Sequence, residues 1–292
     1  MRRPARGWGP LPAAAWYISL AMNLPFVKMH GLGNDFVIID ARKNRVALDA
    51  ARARAIADRH TGVGCDQVIV IEPARNGADA FMRIRNADGG EVGACGNATR
   101  CVAAIVMRER GASAARIETA SGILAAEAGT NGSVTVDMGA PRFDWRDVPL
   151  AAAHDTLHVK FSLGPLSDPV ALSMGNPHAV FFVPDAEAVD LAALGPQIEH
   201  HALFPERVNV GVCQVIAKDR VRLRVWERGA GITQACGTGA CAAAVAGARR
   251  GLTGRSVTVV VDGGELKIDW RADDHVMMTG PVATSFTGAL AL

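Results

Sequence analysis

The chain predicts an α/β fold of the α+β kind: two pseudo-symmetric domains, each a curved, mainly antiparallel sheet or barrel wrapped around a central helix. Three observations predict it. Strand-like runs far outnumber helical ones. Two near-copies of one short segment, Ala94-Cys95-Gly96-Asn97-Ala98-Thr99-Arg100-Cys101 and Ala235-Cys236-Gly237-Thr238-Gly239-Ala240-Cys241, stand about half a chain apart. Each runs into an Ala-rich stretch that is apolar all round, and such a helix is buried all round.

Residues 1–22 stand apart from this pattern. Arg2, Arg3 and Arg6 precede the apolar run Leu11 to Ala21, which mimics the n- and h-regions of a signal peptide. The competing reading is an upstream start before a genuine Met22, with a disordered extension. It is the preferred one, because an oxidising destination would join reactive thiols and Asn23 already opens a strand. From there, apolar or alternating runs predict strands at 24–29, 35–40, 67–72, 80–85, 116–119, 123–127 and 133–137. In the second half they fall at 157–162, 169–173, 179–183, 212–217, 220–226, 256–261, 264–269 and 275–279. Pairs such as Asp88-Gly89-Gly90, Asn131-Gly132 and Asp262-Gly263-Gly264 supply the turns between them.

Helices are predicted at 48–59 after Asp49, at 97–110 ending on Gly111, at 187–202, and at 238–250 ending on Gly251. The strand pattern breaks at Gly139-Ala140-Pro141-Arg142. The domains are therefore set at 23–140, carrying Cys95, and 141–280, carrying Cys236, with 281–292 packing back on the first. Two equivalent halves put the functional cleft between them, one helix mouth from each side.

Composition excludes several classes. Thirty-one basic against 29 acidic residues leave a net charge of +2, and no basic patch with aromatic partners points to nucleic acid. No run reaches the roughly 18 apolar residues of a membrane helix. Six cysteines without a tight framework suit a reducing compartment, hence a cytoplasmic location. Cys65, Cys101, Cys213 and Cys241 read as small buried hydrophobes. The offsets within each cysteine pair do not match a zinc knuckle, so no metal is expected.

Cys95 and Cys236 differ from the other four in standing where a helix begins. Unpaired N–H groups and the dipole there favour a thiolate, bringing a thiol of ordinary pKa about 8.5 within reach of neutral pH. The same N–H groups, from Gly96-Asn97 and Gly237-Thr238, make a carboxylate site. A proton alpha to a carboxylate is weakly acidic, and inversion needs a base on one face and an acid on the other. Two such cysteines are the equipment of a two-base racemase or epimerase, titrating as a coupled pair. Pyridoxal phosphate, the competing route, needs a dedicated lysine. None of Lys28, Lys43, Lys160, Lys218 and Lys267 has a phosphate-cradling partner, so no cofactor is expected.

Met29-His30-Gly31-Leu32-Gly33-Asn34-Asp35-Phe36, Gly175-Asn176-Pro177-His178 and Glu227-Arg228-Gly229-Ala230-Gly231 join the two cysteine segments. In order and spacing, from about Asn23 onward, these motifs closely resemble the diaminopimelate epimerase family. The resemblance implies a cofactor-independent isomerase that interconverts LL- and meso-2,6-diaminopimelate for lysine and peptidoglycan precursors. It implies Cys95 and Cys236 as the acid/base thiols, with His178 and Glu227 as catalytic helpers. Gly96, Asn97, Gly237 and Thr238 would hold the reacting carboxylate. Arg228, backed by Asn86, Asn176 and Asn209, would grip the distal one, and Asn34 and Gln67 would line the site. A homodimer and a small-molecule partner are implied too. A same-fold racemase of another amino acid and a thiol redox protein are the alternatives. Three departures from the pattern stand out: Ala98-Thr99, compatible with a helical first turn; Ile232 (in place of a glutamate), which bears on how the Cys236 loop is tuned; and the stretch before Met22, which carries no functional weight.

Overall fold

Two sets of strands with the same pairing order, laid end to end, make the main sheet. The computed structural model describes residues 23–291, so the reading of residues 1–22 lies outside the described residues. In the first half, Asn23–Gly31 pairs antiparallel with Asn34–Asp40, which runs parallel to Gln67–Glu72. Ala80–Asn86 follows antiparallel, then Ala114–Thr119 in parallel, then Gly122–Ala128 and Ser133–Asp137. The second half repeats the order with Val170–Ser173, Pro177–Phe182, Asn209–Ala217, Arg220–Glu227, Ser256–Val261, Gly264–Trp270 and Val276–Pro281. Its parallel joints fall at the same two places. The last strands of the halves pair with each other, Ser133–Asp137 against Val276–Pro281, so one continuous strip runs through both. The strip is open, with no closed barrel.

Each half wraps one helix. Helix α1 (Ala50–Ala57) lies on the outer face of the first half. Helix α2 (Gly96–Arg110) is enclosed by it, with Ala98, Cys101, Val102, Ala103 and Val106 fully buried against Phe36, Ile69, Ile84 and Ile117. Helices α3 (Leu191–Glu199) and α4 (Gly237–Arg249) take the equivalent outer and inner places in the second half. The apolar run Cys101 to Met107 of α2 and the Ala-, Val- and Gly-rich body of α4 make enclosure favourable, at about 1.5–3 kcal/mol for each large side chain removed from water. Asp49 and Asp190 cap the outer helices, accepting from Arg52 N (2.8 Å) and Ala193 N (3.1 Å). Gly111 ends α2 in the left-handed region at φ 61°.

Two expected elements differ. Residues 157–162 form no long strand. Their backbone bonds locally, Phe161 N to Val159 O and His158 N to Asp155 O, and only Ser162–Leu163 pairs, with Leu166–Ser167. Conversely, Ala283–Ala291 is a nine-residue strand along Asn23–Gly31 that no hydrophobic pattern announces, because its side chains are mostly small and exposed, Phe286 among the exposed ones.

Candidate active site

Both inner helices begin at the junction of the halves. Cys95 and Cys236 are their N-cap residues, in extended conformation (φ −148°, ψ 112° and φ −106°, ψ 109°). The Cys95 carbonyl accepts from Thr99 N at 2.9 Å and that of Cys236 from Ala240 N at 2.9 Å, so each helix ladder starts on its cysteine. The Cys236 sulfur turns back onto the first turn, where it accepts from Gly239 N (3.3 Å) with Thr238 Oγ1 at 3.6 Å, whereas the Cys95 side chain makes no capping hydrogen bond.

The two mouths touch. The Asn97 side-chain amide donates to Ala235 O (3.0 Å) and to Asn34 Oδ1 (3.2 Å), tying the first turn of α2 to the segment that leads into α4. Gly96 and Gly237 both abut Met278. A Cβ would stand 2.7 Å from its Cε at Gly96 and 3.0 Å from its Sδ at Gly237, so glycine permits the close approach.

A cavity of about 900 Å³ opens at this junction. Asn34, Gln67, Asn86, Cys95, Gly96, Asn97, Asn176, Asn209, Glu227, Arg228, Cys236, Gly237 and Thr238 all line it. No lysine does, so the cavity wall offers no amine for a Schiff base. Among the described residues no cluster of three His, Cys, Asp or Glu side chains is placed to hold a metal ion.

His178 is the exception among the expected residues. It is 2 % exposed and stands behind Asn176, its Nε2 at 3.0 Å from Asn176 Oδ1. Burial and the Arg228 charge push its pKa down to about 3, which keeps the ring neutral. Asn176 Nδ2 in turn donates to Thr238 Oγ1 at 3.2 Å, beside the Cys236 sulfur. His178 therefore reaches Cys236 through three linked contacts, by way of Asn176 and Thr238.

The thiols also depart from expectation. The N–H groups act in the expected direction, but burial outweighs them and pushes Cys95 up to about 11. Cys236 is pushed well above the ordinary thiol range by burial and by the neighbouring Glu227 charge. Burial thus favours the neutral thiol at both positions. Burial likewise raises Glu227 above the usual carboxylate range, although its carboxylate accepts a hydrogen bond from Thr233 Oγ1.

At the other end, Arg228 is exposed to the cavity. Its backbone N–H donates to Asn209 Oδ1 (2.9 Å), and one guanidinium nitrogen donates to Glu206 O (3.1 Å). Gln67 Nε2 donates to Asn86 Oδ1 at 2.9 Å, so the two amides fix each other. Sequence reasoning missed Arg59, Asp66 and Thr233, which also line the cavity. Asp66 accepts from Asn34 Nδ2 (2.8 Å) and from Arg59 (2.7 Å), and Arg59 also pairs with Asp35. Only Asp35, inside the Asn34-Asp35 motif, carried a signal. Ile232 sits at the rim, 42 % exposed, while its neighbour Thr233 supports Glu227. Ala98 and Thr99 are fully buried in a regular first turn.

The architecture defines a class of two-halved folds with a cleft at the junction. A crystal structure of a PhzF-family phenazine biosynthesis protein from Bacillus anthracis superposes with a TM-score of 0.67 at 16 % identity, covering 92 % of this chain and 99 % of that one. A hydroxyproline epimerase from Agrobacterium vitis, crystallised with trans-4-hydroxy-L-proline, gives 0.66 at 17 % identity, covering 92 % and 93 %. Within that class the sequence is specific. The family model described as diaminopimelate epimerase matches residues 26–143 and 170–285. Diaminopimelate epimerases of Rhodospirillum centenum and Phenylobacterium zucineum are 63 % and 57 % identical over 91 % and 94 % of this chain, and over 92 % and 100 % of their own lengths. The chain belongs to the diaminopimelate epimerase family.

Proposed function

We propose that this enzyme, an isomerase, epimerises LL-2,6-diaminopimelate to the meso form by two-base chemistry for lysine and peptidoglycan precursor synthesis. The observation that carries the reading is the pair of cysteines capping two helices whose mouths line one cavity. The substrate's reacting carboxylate sits between the mouths, accepting from the N–H groups of Gly96, Asn97, Gly237 and Thr238, where the dipoles offset the charge that builds as the α-proton leaves. One sulfur, as thiolate, takes that proton. The other, as thiol, delivers its own to the opposite face. Glu227 and the His178–Asn176–Thr238 chain hold the Cys236 side in register. Arg228 offers its planar fork to the distal carboxylate, beside Asn86, Asn176 and Asn209, and Asn34 and Gln67 complete the wall. In the same reading the enzyme is cytoplasmic and homodimeric. Its six free thiols suit a reducing compartment.

The test is reduced protein in D₂O with LL-diaminopimelate, following loss of the α-proton signal and growth of the meso isomer. Exchange with epimerisation is expected. Cys95→Ala and Cys236→Ala are each expected to lose at least about 100-fold, the usual contribution of a positioned acid or base. Exchange that survives either substitution, or a wild type that ignores diaminopimelate, sinks the assignment.

A further inference from the structure

Arg100 lies in the second turn of α2 and is 0 % exposed, the largest fully buried side chain among the described residues. It forms no ion pair with any carboxylate among them, and its Nε and Nη2 have no hydrogen-bond partner. Its one polar contact is Nη1 to Met278 Sδ at 3.5 Å. A buried guanidinium is ordinarily paired, since desolvating an unpaired charge is expensive. The surroundings are built to receive this one all the same. A Cβ at Gly31 would stand 2.8 Å from Nη2, and one at Gly280 would stand 3.2 Å from Nε, so two strands leave out side chains to make room. Met278, which Arg100 touches, is also the side chain against which Gly96 and Gly237 rest.

The groups facing this cation are thiols. Cys95 and Cys101 lie on its own helix, and Cys241 on α4. The neighbouring strands bring Gly31, Met278 and Gly280, none of them titratable. Glu227, across the cleft, faces Cys95 with the opposite sign. Cys101 and Cys241 are sealed in the core. Cys95 alone of the three opens to the cavity and can exchange a proton there.

We infer that Arg100 is an electrostatic positioning residue, a built-in counter-charge whose field, unscreened by solvent, makes the Cys95 thiolate attainable. The inference rests on Cys95 acting as an acid/base thiol. It explains how a thiol facing a carboxylate can ionise. The ion-pair energy is deferred: the charge stands unpaired in the resting enzyme and gains its partner when Cys95 loses its proton.

The experiment is the pH dependence of Cys95 alkylation by iodoacetamide in the reduced, ligand-free protein, read by mass on the Cys95 peptide. At pH 8, Arg100→Gln and Arg100→Met are expected to label about 10-fold more slowly than wild type, one unit of thiol pKa. Arg100→Lys, which keeps the charge, is expected to stay within about 3-fold on the same scale. Neutral variants that melt like wild type and label Cys95 at the wild-type rate overturn the inference, because a merely structural arginine would change melting and not labelling. A wild-type measurement covers variants that fail to fold. A buried counter-charge leaves the labelling midpoint unmoved between about 0.05 and 0.5 M salt, where screening lengths run from about 14 down to 4 Å. A midpoint that climbs with salt assigns the effect to exposed cations such as Arg59 or Arg142, and the inference fails. Labelling does not require turnover. Wild type that labels as expected yet leaves diaminopimelate untouched faults the substrate assignment instead.

Discussion

Arg228 illustrates how a single side chain divides its work. Its backbone N–H is committed to Asn209 and one guanidinium nitrogen to Glu206, which fixes the arm while the rest of the fork faces the cavity. Arg228→Ala is expected to raise KM for diaminopimelate about 10- to 100-fold, the range for a lost charge-assisted contact of about 1.5–3 kcal/mol, with a smaller change in kcat. Steady-state kinetics on both epimers check it. The thiols give a pH prediction. Burial holds both above their ordinary pKa, so the single-thiolate form grows as pH rises through and above neutrality. The kcat/KM profile should therefore climb on the alkaline side of 7 and fall again once both sulfurs ionise. A profile with its maximum below pH 6 contradicts the raised thiols. The cavity residues found by motif share a trait: each belongs to a short stretch of Gly, Asn or Cys with a local geometric job. Asp66 and Arg59 escaped because their role arises from contacts 31 and 24 residues away in sequence, with Asp35.

The helices were legible because capping and composition are local signals. Asp49 and Asp190 begin the outer two, and long apolar runs mark the inner two for burial, although Arg100 goes under with them. Asp49→Ala is expected to lower stability by about 1 kcal/mol, the usual loss of an N-cap acceptor. It should leave KM unchanged, since α1 packs on the outer face with Val37, Ile39 and Val68, away from the cavity. Thermal melts beside kinetics test both halves of that statement. Strands were less legible where pairing rather than pattern makes them. Residues 157–162 carry a convincing alternation, yet Val159 and Phe161 bury themselves from a chain folded on itself. Ala283–Ala291 has no alternation and is a strand because Asn23–Gly31 offers it an edge. No window of sequence contains that information.

The two halves meet most tightly where Gly263 passes Leu32. Gly263 N donates to Gln234 O at 2.8 Å, and a Cβ there would stand 1.9 Å from Leu32 O, a backbone atom that cannot step aside. Gly263→Ala is expected to destabilise by about 1–3 kcal/mol or more and to lower kcat, because Gly33 and Asn34 beside Leu32 line the cavity. An unchanged melting curve would show that the halves do not lock there. The core sets a second limit. Burial holds Cys65 near 11 and Cys101, Cys213 and Cys241 near 12, against an ordinary 9.0. The folded state thus keeps protons the unfolded chain gives up. That stability is whole below pH 9 and drains away as pH rises toward 12. Melts of the reduced protein should fall steeply above pH 9, less so in Cys213→Ala.

The pairing of Asn23–Gly31 with Ala283–Ala291 has a temporal consequence. On the ribosome the first strand emerges early, and its neighbour follows only after nearly all the described chain has been made. The other end of that half, Ser133–Asp137, also waits for its partner Val276–Pro281. The newborn first half therefore carries two bare strand edges through most of translation. Chaperone demand, and vulnerability to premature termination, should be concentrated in that interval.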